Sequence, residues 1–251
     1  MFAGVQRAFA EQAARPDLAA CVSSGLFDMA IEGLTAFTTA GVDRLGDTDH
    51  FALYMCLGIP RNCRAMPGCE AKIRSVATAL AFCLENSLDT CKAIGYTAQA
   101  SAVQVCCGTF GRDEGSGEFT FTQQHIDILQ TRWRNLVRAD EDAKMQKPSA
   151  DTIMALELCI SDANKPLVLS NPDFIPYLVD ALLPDLNHPR AEMKEDLRIL
   201  VQMHHTECFA QLAVFAPACE ALRQDPLVTP ALQAVAEVGL SAEARDFARQ
   251  R

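Results

Sequence analysis

Apolar residues recur along most of this chain at intervals of three and four, the spacing of a buried helical face. Phe2, Val5, Phe9 and Ala13 lie on one such face and predict a helix over 2–14, stopped by Pro16. Pro16-Asp17 opens a short helix through Leu18–Val22, with Gly25 placed to close it. Met29, Ile31, Leu34 and Phe37 form the stripe of a helix over 26–37, and a further helix is expected over 50–57 after the capping run Gly46-Asp47-Thr48-Asp49. Ile126, Leu129, Trp133, Leu136 and Val137 mark another over 122–137. The longest stripe, Met193, Leu197, Leu200, Val201, Cys208, Leu212 and Phe215, predicts a helix over 192–215, and 242–250 reads as a short charged closing helix.

Superposed on this period is a longer one. Asn171-Pro172-Asp173-Phe174-Ile175-Pro176 returns 54 residues later as Asp225-Pro226-Leu227-Val228-Thr229-Pro230. Both prolines recur, as do the apolar pairs Leu158/Leu212, Ile160/Val214, Val168/Leu222 and Leu178/Leu232. A fixed offset that preserves apolar and proline positions marks a repeat array. Pro176 and Pro230 are each expected where a helix begins, since the first helical N–H has no partner to lose and φ is already set. A shorter phrase also recurs: Cys63-Arg64-Ala65-Met66, Cys91-Lys92-Ala93-Ile94 and Cys219-Glu220-Ala221-Leu222, with Asn164-Lys165-Pro166-Leu167 in the same place in its copy. The unit reads as a long helix, a tight connection, a short helix, a turn and a further helix. The glycine-rich insertion after Phe110 is expected as an exposed flexible loop over 111–121 within a single domain spanning 1–251.

At Thr90–Val105 and Asn164–Leu183 the chain resembles armadillo repeats. Cys91-Lys92-Ala93-Ile94-Gly95 resembles that family's inter-helix phrase, and Ile175-Pro176-Tyr177-Leu178-Val179-Asp180-Ala181-Leu182-Leu183 resembles its proline-led helix. The likeness covers about residues 50–110 and 150–240. It implies an all-α, right-handed α-solenoid of degenerate armadillo-like repeats whose concave groove binds a partner peptide or protein. By position, the groove-lining helices would be about 72–86, 152–160 and 196–215. The family's nuclear-import members carry a Trp-x-x-x-Asn ladder in that groove. This chain does not, since Trp133 is its one tryptophan and Asn135 lies two residues on.

Composition narrows the function. The chain of 251 residues is 49% hydrophobic and 22% charged, as expected of a packed globular protein. Its net charge of −10 gives no electrostatic footprint for nucleic acid. No apolar run reaches the ~18 residues of a membrane span. Arg7 and Glu11 interrupt any signal-peptide core. The eleven cysteines mostly sit beside Leu, Ala or Val, which reads as buried thiols in a reducing compartment, the cytoplasm or the nucleus, rather than a disulfide frame.

Candidate chemistry is sparse. His204, His205 and Cys208 share helical spacing and are zinc-type side chains, so they are the best metal candidates. No second His/Cys pair accompanies them at matching spacing, and a packed histidine is the competing reading. No nucleophile–base signature stands out, Glu192, Glu195 and Asp196 read as an exposed helix start, and Gly115/Gly117 lack the Lys-Ser/Thr of a phosphate loop. The chain is therefore expected to be a non-catalytic protein-binding module without a cofactor, its groove contacts drawn from Gln202, His205, Gln211 and Arg134. A metal-regulated or catalytic helical protein, or a purely structural spacer, are the alternatives.

Overall fold

The computed structural model describes residues 16–40, 47–86, 94–114, 117, 119–128, 148–180, 182 and 195–249. Among them the fold is all-helical and contains no strand. The first expected helix, over 2–14, lies outside the described residues, as do Trp133 and Arg134. The chain divides into two compact units, one of residues 1–110 and 116–120, the other of 111–115 and 121–251.

In the first unit, α1 (Pro16–Ser23) opens on its proline and ends at Gly25, whose φ of 81° suits only a residue without a Cβ. The turn is closed by Ser24 N donating to Ala20 O and Gly25 N to Val22 O. α2 (Leu26–Ala40) buries Phe27, Ala30 and Leu34. The core stripe is thus rotated from the expected one: Leu34 belongs to it, while Met29 points outward at 67% exposure. α3 (Asp47–Cys63) runs past the expected end at Leu57, continuing through a buried Pro60. α4 (Cys69–Arg74) is entered through Gly68 at φ 78°, and α5 (Ala77–Asn86) and α6 (Ile94–Phe110) follow. Between Ser101 and Phe110 nearly every side chain of α6 is buried, because α3, α4 and α5 all pack on it. A helix that is apolar all round belongs in an interior, so Cys106 and Cys107 are core packing.

Helices α1 and α2 together have the length and composition of a membrane span but bend by 63° at their junction, and among the described residues no single helix is long and apolar enough to cross a membrane.

The second unit holds α7 (residues 123–128), α8 (Pro148–Ile160), α9 (Lys165–Leu169), α10 (Phe174–Asp180), α11 (Glu195–Ala213), α12 (Ala216–Gln224), α13 (Val228–Val238) and α14 (Ala242–Arg249). Here the 54-residue period is visible as geometry. Asn171 Oδ1 accepts from Asp173 N at 3.0 Å, and Asp225 Oδ1 accepts from Leu227 N at 2.9 Å. Tyr177 N then donates to Asp173 O and Ala231 N to Leu227 O, one bond per copy at the same offset. Pro176 and Pro230 each occupy the third helical position, where the missing N–H has no intrahelical partner. The pairs Leu158/Leu212, Val168/Leu222 and Leu178/Leu232 are all buried. Ile160/Val214 is not a core pair, since Val214 is 78% exposed at the end of α11. Each helix of one copy packs on its counterpart: α8 on α11, α9 on α12, α10 on α13, with α14 against α11 and α13.

The shorter phrase does not hold together in the same way. Cys63 closes α3 and Arg64–Met66 form a turn, Cys219–Leu222 lie within α12, and Asn164–Leu167 open α9; residues 91–93 are outside the described set.

The insertion after Phe110 is anchored at both ends. Glu157 accepts two hydrogen bonds from Arg112, Nη2 to Oε1 at 2.9 Å among them. Asn164 Nδ2 donates to Gly111 O at 2.8 Å and Ser161 Oγ to Asp113 O at 2.6 Å. Within the first unit Phe119 stacks on Phe110 at 5.0 Å; within the second, Phe121 is buried and meets His125 edge-on.

Candidate functional site

Helix α11 carries most of the residues that sequence periodicity singles out, and its surroundings decide their roles. From Val201 to Phe209 nearly every side chain is buried, since α8, α10 and α14 pack around it. Its polar residues therefore need internal partners, and they have them.

Gln202 is 2% exposed. Its Nε2 donates to Leu182 O at 2.5 Å and its Oε1 accepts from Leu240 N at 2.6 Å, so one amide joins the end of the α10 segment to the turn before α14. Its own backbone carbonyl accepts from Thr206 Oγ1 at 2.6 Å. His205 is fully buried. Its Nδ1 lies 3.1 Å from Leu178 O and its Nε2 3.2 Å from Thr152 Oγ1. A carbonyl only accepts, so Nδ1 carries the proton. Tyr177 packs on the imidazole with ring centroids 4.7 Å apart. Neither Gln202 nor His205 offers surface to a partner: both are struts joining α11 to α8, α10 and α14. Gln211 is half-buried, and Arg134 lies outside the described residues.

The metal constellation is not assembled. His204 Nδ1 faces Glu207 Oε2 at 3.7 Å, both ring nitrogens of His205 are used, and Cys208 lies against Cys159. Burial, then the Cys159 hydrogen bond and charge and the Glu207 charge, push the Cys208 thiol well above its ordinary value. Among the described residues no three His, Cys, Asp or Glu side chains meet as a metal group.

Arg112, Glu157 and Glu207 form a charged cluster beside this spine. Burial works against the Arg112 charge, but the Glu157 hydrogen bonds and charge, with Glu207, outweigh it and raise the guanidinium above its ordinary value. Glu157 is 5% exposed at its side chain and Arg112 31%, so the pair is half-buried, with its carboxylate inside.

A concave feature lies elsewhere along α11. An apolar pocket of about 250 Å³ opens between α11, α12, α13 and α14. Phe209, Leu222, Val228 and Leu232 form its floor, and Phe247 closes one side. Thr229 and Arg223 stand exposed at its rim, and among the described residues Arg223 is the one charged residue lining it. Among the described residues Arg223 forms no hydrogen bond or ion pair. Glu220, one turn earlier on α12, is instead bonded by Gln224 Nε2 at 2.8 Å. Periodicity alone assigned Leu222 and Leu232 to a core face; that they border a cleft depends on how α13 and α14 meet.

No family model matches this chain, and comparison with curated proteins and with solved structures likewise gives no match.

Proposed function

We propose that this chain is a helical-repeat interaction module, a right-handed α-solenoid of armadillo-like repeats, that binds a partner protein. The observation that carries the reading is the pairwise packing of α8 on α11, α9 on α12 and α10 on α13 at a constant 54-residue offset. Stacking of equivalent elements is how repeat proteins build a continuous core and an extended binding surface. The interior roles of Gln202 and His205 shift the proposed contact from those residues to the pocket between α11 and α14. A buried apolar floor with a polar rim is the anatomy of a protein-binding hot spot, where one large side chain of the partner anchors the complex.

The test is affinity capture by the full chain from an extract of its source, set beside an Ala213→Phe variant. Ala213 lines the pocket at the end of α11, so a phenylalanine there fills the cavity without touching the spine. A partner held by the wild type and lost from the folded variant supports the reading. A partner held equally by both removes the pocket from it.

A further inference from the structure

The pocket has a charge pattern that narrows what can enter it. Its floor is apolar, so a hydrated or multiply charged group is excluded by desolvation. Among the described residues its rim carries a single cation, Arg223, and that cation has no partner. A guanidinium presents a planar fork of donors matched to one carboxylate. The flanking stretches of α12 and α14 do not add up to a basic field: Glu220 and Glu243 are acidic, Arg245 is basic, and Asp246 is paired with Arg249 at 2.9 Å. With one cation over an apolar floor, the pocket suits a ligand with one negative charge next to an apolar body rather than a polyacidic segment. The volume of about 250 Å³ lies below the roughly 300–1,000 Å³ of sites for drug-sized ligands, so it suits one large side chain rather than a long acyl chain.

Resting on the reading of the chain as a protein-binding module, we infer that the pocket between α11, α12, α13 and α14 receives the C-terminal apolar residue of a partner chain, with its terminal carboxylate on Arg223. A chain end supplies an apolar side chain and one carboxylate on adjacent atoms. The side chain contacts Phe209, Leu222 and Leu232, and the carboxylate accepts from the guanidinium at the rim. Thr229, exposed and also lining the pocket, carries a hydroxyl that can donate to the same carboxylate.

The experiment uses the full chain and two fluorescein-labelled peptide pools, random over four positions and ending in Phe. One pool has a free C-terminal carboxylate and the other a C-terminal amide. Binding is measured by fluorescence anisotropy to wild type, Arg223→Gln and Ala213→Phe. Arg223 is exposed, so its substitution leaves the core intact, and circular dichroism verifies the fold of both variants. The expected result is that the acid pool binds wild type about tenfold or more tightly than the amide pool, as loss of a charged hydrogen bond predicts. Arg223→Gln erases that difference, and Ala213→Phe abolishes binding of both pools. Equal binding of acid and amide that Ala213→Phe still abolishes overturns the carboxylate assignment and leaves the pocket reading intact. Binding of neither pool, or binding indifferent to Ala213→Phe, overturns both.

Discussion

Asn171 and Asp225 stand 54 residues apart and make the same turn, each side-chain oxygen accepting the backbone N–H two residues on, at 3.0 and 2.9 Å. Each turn feeds a helix with proline at its third position, so the side-chain oxygen sets the entry angle that the proline then fixes. Asp225→Ala is expected to lower stability by about 1 kcal/mol, while Asp225→Asn, which keeps the acceptor, retains most of it. Urea unfolding of both variants checks this. Equal loss from Asn and Ala would show that the oxygen is not what matters.

These turns were legible in the sequence because their chemistry is local: a proline and an Asx residue carry the same instruction wherever they recur. The groove residues were not. Gln202 and His205 look like the polar margin of an amphipathic stripe, and a stripe presumes one wet face. Packing of α8, α10 and α14 around α11 leaves no wet face at that depth, and single-helix periodicity carries no trace of those neighbours. The extent of α3 was not legible either: it runs on through Pro60 to Cys63, past the expected end at Leu57.

Gln202 offers a sharper test of the interior network. Gln202→Ala leaves Leu182 O and Leu240 N without their partner, at about 1–3 kcal/mol for each buried group left unsatisfied. Leu240 is partly exposed, so water compensates part of its share, and a total near 2 kcal/mol is expected. Hydrogen exchange gives the local readout: the Leu240 amide should lose protection by about tenfold or more while the amides of α9 change little.

The Arg112–Glu157 pair predicts an asymmetry between its two ends. Arg112→Met strands a carboxylate that is 5% exposed, a loss of about 3–5 kcal/mol. The double variant Arg112→Met/Glu157→Met removes both charges and should recover most of that. Thermal unfolding of the two variants measures the recovery, and exchange at Gly111–Asp113 reports whether the insertion stays anchored.

In the first unit, Gly33 is a point of close approach. A Cβ there would lie 2.6 Å from Cys56 Sγ, where α2 packs on α3. Alanine normally favours a helix over glycine by about 1 kcal/mol, so the sign of Gly33→Ala depends on whether Cys56 gives way. A fixed thiol predicts destabilisation by about 1–3 kcal/mol, and Gly33→Ala/Cys56→Ala should then exceed Cys56→Ala in stability. A Gly33→Ala variant more stable than wild type would show that the thiol swings clear.

Cys83 predicts a pH dependence. It is 3% exposed, and burial first, with Cys56 nearby, pushes its thiol from 9.0 up to about 12. The protonated form is the one the folded state holds. Below pH 9 both folded and unfolded chains are protonated, and the full stabilisation is present. Between about pH 9 and 12 the unfolded chain releases the proton and the folded chain does not, so stability falls by about 1.4 kcal/mol per pH unit from this group. Cys63, Cys106 and Cys208 are raised in the same direction and steepen the whole curve. Cys83→Ala isolates one contribution: the stability difference between wild type and variant should be constant up to pH 9 and then shrink as pH rises toward 12. Urea midpoints at pH 7, 9 and 10.5 measure it. A difference that stays constant to pH 10.5 would mean that the thiol ionises alike in both states, and hence that water reaches it in the folded protein.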